Sequence, residues 1–342
     1  MQSANKAVWP LRAACVIVAA VALFFVIRRI QPQALGQTFH HMHAAWFVAS
    51  SLLYGLLFVP ASMRWHIALR LSGSAIDLAT SLRLSLIGHF FYTILFGAAG
   101  GDVAKSAVYA RQHGLLLPNI LAASSLDRLL GSVGLVLFSA VAFGIALANG
   151  GLMPLEHLSM HLPRPWAMIA AAVVLVLACL LIRSRRGSLW ERFVNAFLTS
   201  GRKLIRTPKD FLAGVLCGVG VQLALSGVLA LNLQAVSSSP LPWERLIWTF
   251  PVISIISALP VTVAGLGVRE SAALFLFGWY NVSGPDAVAA SLLTAISGLW
   301  WTIVGGILLW RETVNGSPTA AVNDRESSDA GPTGQISEAP GQ

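Results

Sequence analysis

The hydrophobic residues of the chain fall into long runs that short polar segments separate. Several runs reach the roughly 18–25 apolar residues that a helix needs to cross about 30 Å of hydrocarbon. Lipid offers no partner to backbone N–H and C=O groups, so such runs are expected to be helical. The pattern predicts six full membrane spans, at about 11–27, 44–60, 129–148, 165–182, 211–236 and 287–310.

Two further apolar runs, 84–99 and 246–264, each lead into a glycine-rich break with an acid–base pair. The residues of the breaks are Gly100, Gly101, Asp102 and Lys105 in the first, and Pro260, Gly265, Gly267, Arg269 and Glu270 in the second. Glycine permits such a break, and half-helices that meet near the midplane are typical of inverted repeats in transporters. We therefore expect an all-α polytopic bundle of six full spans plus two re-entrant broken helices. Eight full spans are the alternative.

The basic residues predict the orientation of the bundle. The chain carries 23 Lys and Arg against 14 Asp and Glu, and its net charge is +9. The segment 183–209 is interpreted as a strongly basic loop, which the positive-inside rule places in the cytoplasm. With two re-entrant helices, both termini and most other basic residues are then cytoplasmic. Eight spans instead put the loop that holds Arg64, Arg70 and Arg83 outside. Membrane topology and anionic headgroups explain the positive charge better than nucleic acid does.

The last 31 residues differ in composition from the rest of the chain. They are rich in Ser, Gly, Pro, Asp and Glu and contain few large apolar side chains. Such a segment cannot bury enough apolar surface to order itself. We predict a transmembrane domain at 1–311 and a disordered cytoplasmic tail at 312–342.

Six charged residues lie in or beside apolar stretches and are the candidates for a substrate pathway. A charge at membrane depth costs roughly 2.5–3.5 kcal/mol, so these side chains should face a polar cavity and pair with one another. The alternative is that they form structural ion pairs that lock helices together. Arg64 and Arg70 are interpreted as cytoplasmic anchors. The six candidates are Asp102, Lys105, Asp127, Arg128, Arg269 and Glu270.

Catalytic and metal-binding patterns are weak. No nucleophile stands beside a general base, and Ser124 and Ser125 fit the start of a helix. The tract that contains His40, His41 and His43 fits an interfacial loop better than a metal site. We therefore expect no enzyme activity, no metal and no cofactor.

Three patches resemble motifs of a known family, the transmembrane, flippase-like domain of lysylphosphatidylglycerol synthases and the stand-alone membrane proteins similar to it. The patches are GGDVAK at 100–105, SLDRLLG at 125–131 and LPVTVAGLGVRE at 259–270. The second patch looks like a helix start of that family. Lys105 departs from the family pattern, which has Arg there, and Phe96 and Gly97 replace a Pro that often precedes the first break.

The resemblance covers about residues 10–312 and implies an inner-membrane protein that moves a lipid headgroup between leaflets. The implied cargo is a phospholipid, an aminoacyl-lipid or a lipid-linked headgroup, so the expected partners are membrane lipids, anionic or aminoacylated, and a lipid-biosynthesis enzyme. A different function stays open. The protein could be a non-transporting accessory subunit of a lipid- or glycan-modifying enzyme, docked through the basic segment 183–209.

Overall fold

A computed structural model of the chain describes residues 32–74, 76–94, 98–150, 188–237, 241–257 and 267–314. All elements in these ranges are helices, so the prediction of an all-α protein is confirmed for them. The predicted spans 11–27 and 165–182 lie outside the described residues, as does 315–342. The helices are α1 (Pro32–His40), α2 (Ala44–Leu56), α3 (Phe58–Leu71), α4 (Leu78–Ile94), α5 (Ala98–Gln112), α6 (Leu117–Ala148), α7 (Ser188–Arg206), α8 (Pro208–Val236), α9 (Trp243–Leu246), α10 (Thr249–Ser257), α11 (Val268–Gly278) and α12 (Gly284–Val314).

Four described segments are long and apolar enough to cross a membrane. They are Ala44–Leu71, which joins α2 and α3, and Leu117–Ala148, Pro208–Val236 and Gly284–Glu312. Their 28 to 32 residues correspond to about 42–48 Å of helix at roughly 1.5 Å per residue, more than the hydrocarbon core requires. These segments contain four of the six predicted spans.

Helix α6 begins at Leu117, well before the predicted span at 129. Pro118 occupies its first turn, where the missing N–H costs nothing. Ser124, Ser125 and Asp127 therefore lie in the middle of a helix, and the prediction that a helix starts there is wrong. Polar residues interrupt an apolar run in the sequence. They can still lie within a helix, because side chains of neighbouring helices supply their hydrogen-bond and ion-pair partners.

The helical bundle has two opposite ends, which we name after Asp286 and Glu312, residues near the two ends of α12. At the Asp286 end, Thr38 donates to Asp286, and the backbone N–H of His43 donates to Ala235 O. At the Glu312 end, Arg70 pairs with Asp210, and Glu312 contacts both α4 and α5. The long helix from Ala44 to Leu71 connects the two ends, and α8 runs back antiparallel to it.

Helices α4 and α5 form an antiparallel hairpin, in which Gly88 lies beside Gly101. Both open ends of this hairpin lie at the Glu312 end, because Arg83 near the start of α4 and Gln112 at the end of α5 bind Glu312, at 2.9 and 2.7 Å. The carboxylate of Glu312 thus fastens the base of the hairpin to α12. Since α12 continues to Val314, Glu312 is part of the helical bundle.

The first glycine-rich break is not where the sequence predicted it. Gly100, Gly101 and Asp102 lie inside the first turns of α5, and only residues 95–97 between the two helices fall outside the described chain. A Cβ on Gly101 would lie 2.6 Å from the carbonyl oxygen of Gly88. Gly101 is therefore needed because two backbones approach closely, which is a different use of glycine from a helix break.

Helices α10 and α11 form a second hairpin, which opens at the Asp286 end. Trp248 Nε1, just before α10, donates to the hydroxyl of Tyr280, just after α11, at 2.9 Å. Gly267 precedes α11 with a φ of +82°, a conformation that favours glycine. The predicted break residues Pro260 and Gly265 lie outside the described residues.

The described part of the basic segment is a helix, so the interpretation of 183–209 as a loop is wrong there. Helix α7 places Phe197 and Leu204 in the apolar core near the Glu312 end, and its Ser200 hydroxyl lies 3.1 Å from that of Ser72. Apolar residues at helical spacing fold this segment onto the bundle in spite of its charge.

Candidate functional site

Three basic and two acidic side chains meet where α3, α5 and α6 pack together. Arg64 Nε donates to Asp127 Oδ1 at 2.7 Å. Lys105 Nζ lies between the carboxylates, 3.2 Å from Asp102 and 3.9 Å from Asp127. Arg128 Nε donates to Asp102 Oδ2 at 2.5 Å. We call these residues the five-charge cluster, and its formal charge is +1 because three cations share two carboxylates.

Burial differs across the cluster. The side chains of Asp127 and Lys105 are 5% and 9% exposed, and that of Arg64 is 12% exposed. Arg128 is 52% exposed and lies at the outer edge. The ammonium of Lys105 also lies over the indole ring of Trp65, 4.7 Å from its centroid, where a cation is attracted by the ring electrons. The cluster therefore has a buried floor and one accessible cation.

Two glycines make room for the buried cations. A Cβ on Gly131 would lie 2.3 Å from Nη1 of Arg64, and one on Gly88 would lie 3.2 Å from Cδ of Lys105. Gly131 ends the SLDRLLG patch that also contains Asp127. The spacing of this patch thus has a physical basis, because the aspartate binds the guanidinium of Arg64 and the glycine one helical turn later leaves space for it.

A cavity of about 150 Å³ opens onto the five-charge cluster. Its wall on α4 includes His89 and Tyr92, whose rings are stacked with centroids 5.7 Å apart. The volume exceeds the roughly 30 Å³ that one water molecule occupies in the liquid. The lining residues are Ala61, Arg64, Ser85, Gly88, His89, Tyr92, Gly101, Asp102, Lys105, Asp127 and Arg128.

The charge of the cavity suits an anion. Guanidinium and ammonium groups form strong charge-assisted hydrogen bonds with phosphate oxygens. The carboxylates of Asp102 and Asp127 hold these cations in place through ion pairs. One net positive charge in a cavity of low dielectric attracts a phosphate or carboxylate more strongly than it would in water.

Arg269 and Glu270 form a separate pair at the start of α11. Glu270 is fully buried, and its Oε2 accepts the backbone N–H of Gly267 at 2.6 Å. Its Oε1 accepts from Nη2 of Arg269 at 2.9 Å and from the hydroxyl of Ser291 at 3.0 Å. Glu270 thus supplies the glutamate half of a capping box, which secures the first turn of α11 against α12.

The structure brings four of the six predicted pathway residues, Asp102, Lys105, Asp127 and Arg128, to one cavity. Arg269 and Glu270 do not line that cavity. Tyr54 of α2 packs beside the cavity wall, with its ring 5.7 Å from that of His89.

The sequence interpretation of Arg64 as a cytoplasmic anchor is wrong. The helix from Ala44 continues past the predicted span end at Pro60, so Arg64 lies inside the bundle and lines the cavity. The helical spacing of the sequence could have predicted the burial of Arg64, because Ile67 and Leu71 lie on the same face of the helix and are also buried. Arg70 is 57% exposed at the Glu312 end, as an anchor should be.

Comparison with known proteins agrees with this architecture. No curated protein matches the chain significantly. The family model described as the lysylphosphatidylglycerol synthase TM region matches residues 12–306, a range that includes both hairpins and the five-charge cluster. Together with the four long apolar helices, this match identifies a multi-pass membrane protein. The chain belongs to the family of the lysylphosphatidylglycerol synthase transmembrane region.

Proposed function

We propose that the protein is a lipid flippase that moves a phosphate-bearing headgroup between the leaflets of the inner membrane, and that it is not an enzyme. The observation that carries this proposal is the five-charge cluster, with its excess of cations around a cavity between helices. Arg64 lies seven residues from the end of a helix about 42 Å long, which places it about 4 Å inside a roughly 30 Å hydrocarbon core if the excess length is shared by both ends. Ionisable residues that line a cavity inside a membrane bundle typically mark a substrate pathway.

The geometry favours exchange of one anion for another. Arg128 is half exposed and is held by Asp102 at the edge of the cavity. A headgroup phosphate that enters there replaces Asp102 as the partner of Arg128 and then of Lys105. Asp127 stays on Arg64 and keeps the floor of the cavity intact. With a singly charged phosphodiester bound, the three cations face three negative charges, so the cavity holds no excess buried charge.

The two hairpins support an inverted repeat of two re-entrant helices within six spans. The α4–α5 hairpin opens at the Glu312 end, and the α10–α11 hairpin opens at the Asp286 end. In this topology the Glu312 end, with the basic helix α7, faces the cytoplasm, and both termini are cytoplasmic. The two hairpins then approach each other from opposite leaflets, as alternating access requires.

The cargo class follows from the family and the charge of the site. Membership in the lysylphosphatidylglycerol synthase TM family supports a phospholipid or aminoacyl-lipid as cargo. The phosphate of such a lipid fits the excess positive charge of the cavity, whereas an uncharged lipid offers it nothing. A lipid-biosynthesis enzyme on the cytoplasmic face is the partner that would supply this cargo.

Leaflet exchange in liposomes tests the proposal. The purified chain is reconstituted with a trace of phosphatidylglycerol that carries a dithionite-sensitive fluorophore. We expect dithionite to bleach label from both leaflets, where protein-free liposomes lose only the outer half. Lys105→Gln should slow exchange per folded protein, and the matched control Lys209→Gln, at an exposed position of α8, should not.

Two results would contradict this function. Exchange no faster than in protein-free liposomes is one, and an unchanged rate for Lys105→Gln is the other. An accessory role would be supported instead if crosslinking in cells found a stoichiometric lipid-modifying enzyme and the isolated chain moved no lipid.

A further inference from the structure

Helix α7 carries two exposed surfaces in addition to the face that packs on the bundle. Its packed face includes Leu204 and Ser200, which are almost fully buried. The hydrogen bond between Ser200 and Ser72 fixes the helix at the Glu312 end, beside the ends of the membrane spans. The helix therefore has a set position relative to the bilayer surface.

The first exposed surface is apolar. Leu198 and Ile205 are 50% and 82% exposed and lie seven residues apart, which is two helical turns and thus the same side of α7. Along the chain, α8 follows with Leu212 and Leu216, which are also exposed on a span. The free energy falls when large apolar side chains enter the acyl boundary of a bilayer. This flank of α7 thus has the same apolar character as the exposed surface of the span that follows it.

The second exposed surface is basic. Four cations of α7 are exposed and only one acid, Glu191, accompanies them, so this surface carries a charge of +3. A basic face next to an apolar flank is the arrangement of helices that lie in the headgroup layer. The cations are Arg192, Arg202, Lys203 and Arg206.

We propose that α7 lies in the headgroup layer at the Glu312 end and binds anionic phospholipid headgroups, at a surface distinct from the transport cavity. Lipid is the occupant for two reasons. The flank at Leu198 and Ile205 is held on a bundle whose spans already cross the same membrane, and the basic face is complementary to anionic headgroups. This surface does not depend on which lipid is transported, and it would exist in a protein that transports none.

Two measurements on the full chain in bilayers test this surface. The first uses a protein without its three cysteines, Cys15, Cys179 and Cys217, and with a nitroxide at Ile205→Cys or Arg202→Cys. We expect the label at 205 to collide with oxygen, which concentrates in lipid. The label at 202 should collide with a water-soluble nickel chelate.

The second measurement compares spin-labelled phosphatidylglycerol with spin-labelled phosphatidylcholine in the motionally restricted lipid around the protein. We expect phosphatidylglycerol to be preferred by about fivefold or more, the equivalent of at least one basic residue at an anionic surface. The double variant Lys203→Gln/Arg206→Gln should lose much of this preference. The charge-matched control Arg111→Gln/Arg311→Gln, exposed on α5 and α12, should lose less.

Three outcomes would overturn the proposal. One is an equal loss of the preference for phosphatidylglycerol in the two double variants, which would show that the preference depends on net charge and not on α7. Another is a label at 205 that collides freely with the nickel chelate, which would place the flank in water. The last is a label at 205 that is protected from both reagents, which would mean that protein and not lipid covers it. None of these outcomes bears on leaflet exchange, so the flippase proposal stands or falls separately.

Discussion

Glu270 and Asp127 are two carboxylates that the bundle buries in different ways. Glu270 is satisfied mainly by its own helix start, through Gly267 and Arg269, with Ser291 of the adjoining helix. Asp127 is shared by Arg64 and Lys105, which come from two other helices. A carboxylate held locally stabilises one element, whereas a carboxylate shared between helices positions the cations that line the cavity. This difference supports a structural role for Glu270 and a functional one for Asp127.

At the residue scale, Glu270→Gln should destabilise the protein. The amide keeps the size of the side chain but leaves Arg269 without its carboxylate inside the bundle. Loss of one partner of a buried pair costs about 3–5 kcal/mol. Thermal unfolding in detergent should therefore show a clearly lower Tm. Glu191→Gln, at an exposed position of α7, is the control and should leave Tm almost unchanged. Equal Tm values for the two variants would refute the capping role.

At the element scale, glycines set the distances between helices. A Cβ on Gly134 of α6 would lie 2.7 Å from the backbone of Gly218 on α8. The close approach of these two helices gives van der Waals contact along their lengths, which is the main source of association between helices in lipid. The α4–α5 hairpin uses Gly88 and Gly101 in the same manner. Helix contacts in the bundle are thus built on small residues.

Gly134→Ala tests this packing. The added methyl group must push α6 and α8 apart, and overpacking of this kind costs about 1–3 kcal/mol. Gly144 lies on the same helix with no atom within 4 Å of an added Cβ, so Gly144→Ala is the matched control. We expect thermal unfolding to show a lower Tm for Gly134→Ala only. A similar Tm for both variants would show that the close contact is not needed.

The sequence predicted well the four apolar spans that the structure describes, because length and hydropathy decide whether a helix can cross a bilayer. The sequence predicted the positions of polar residues inside helices less well. The sequence predicts Asp127 at a helix start and Arg64 beyond a helix end, because the partners of these two residues cannot be identified along the chain. Arg64 binds a carboxylate 63 residues away, and such pairing depends on how helices pack. Gly101 was predicted as a break for the same reason, since its contact with Gly88 is a tertiary one.

At the scale of the whole molecule, the contacts at the two ends constrain the topology. The loop after α3 lies beside α7, because Ser72 meets Ser200 and Arg70 meets Asp210. Eight full spans would put these neighbours on opposite faces of the membrane. Six spans with two re-entrant hairpins keep them on one face. The contacts therefore favour the second arrangement.

Cysteine labelling of membrane vesicles separates the two topologies. Single cysteines are introduced at Ala79 near the start of α4, Arg202 on α7 and Gly278 at the end of α11, and are treated with an impermeant maleimide. With two re-entrant hairpins, positions 79 and 202 should react from one side and 278 from the other. Eight spans predict the reverse grouping, with 202 and 278 together and 79 apart.

The most direct test of the central claim is the rate of leaflet exchange of phosphatidylglycerol, measured in liposomes for Arg64→Gln and Arg70→Gln. The two arginines lie on the same helix, α3, but only Arg64 lines the cavity, whereas Arg70 is exposed at the Glu312 end. With rates normalised to folded protein, we predict that Arg64→Gln loses at least about tenfold in rate, equivalent to roughly 1.4 kcal/mol, and that Arg70→Gln stays close to wild type. Equal rates for the two variants would contradict a transport site at the five-charge cluster.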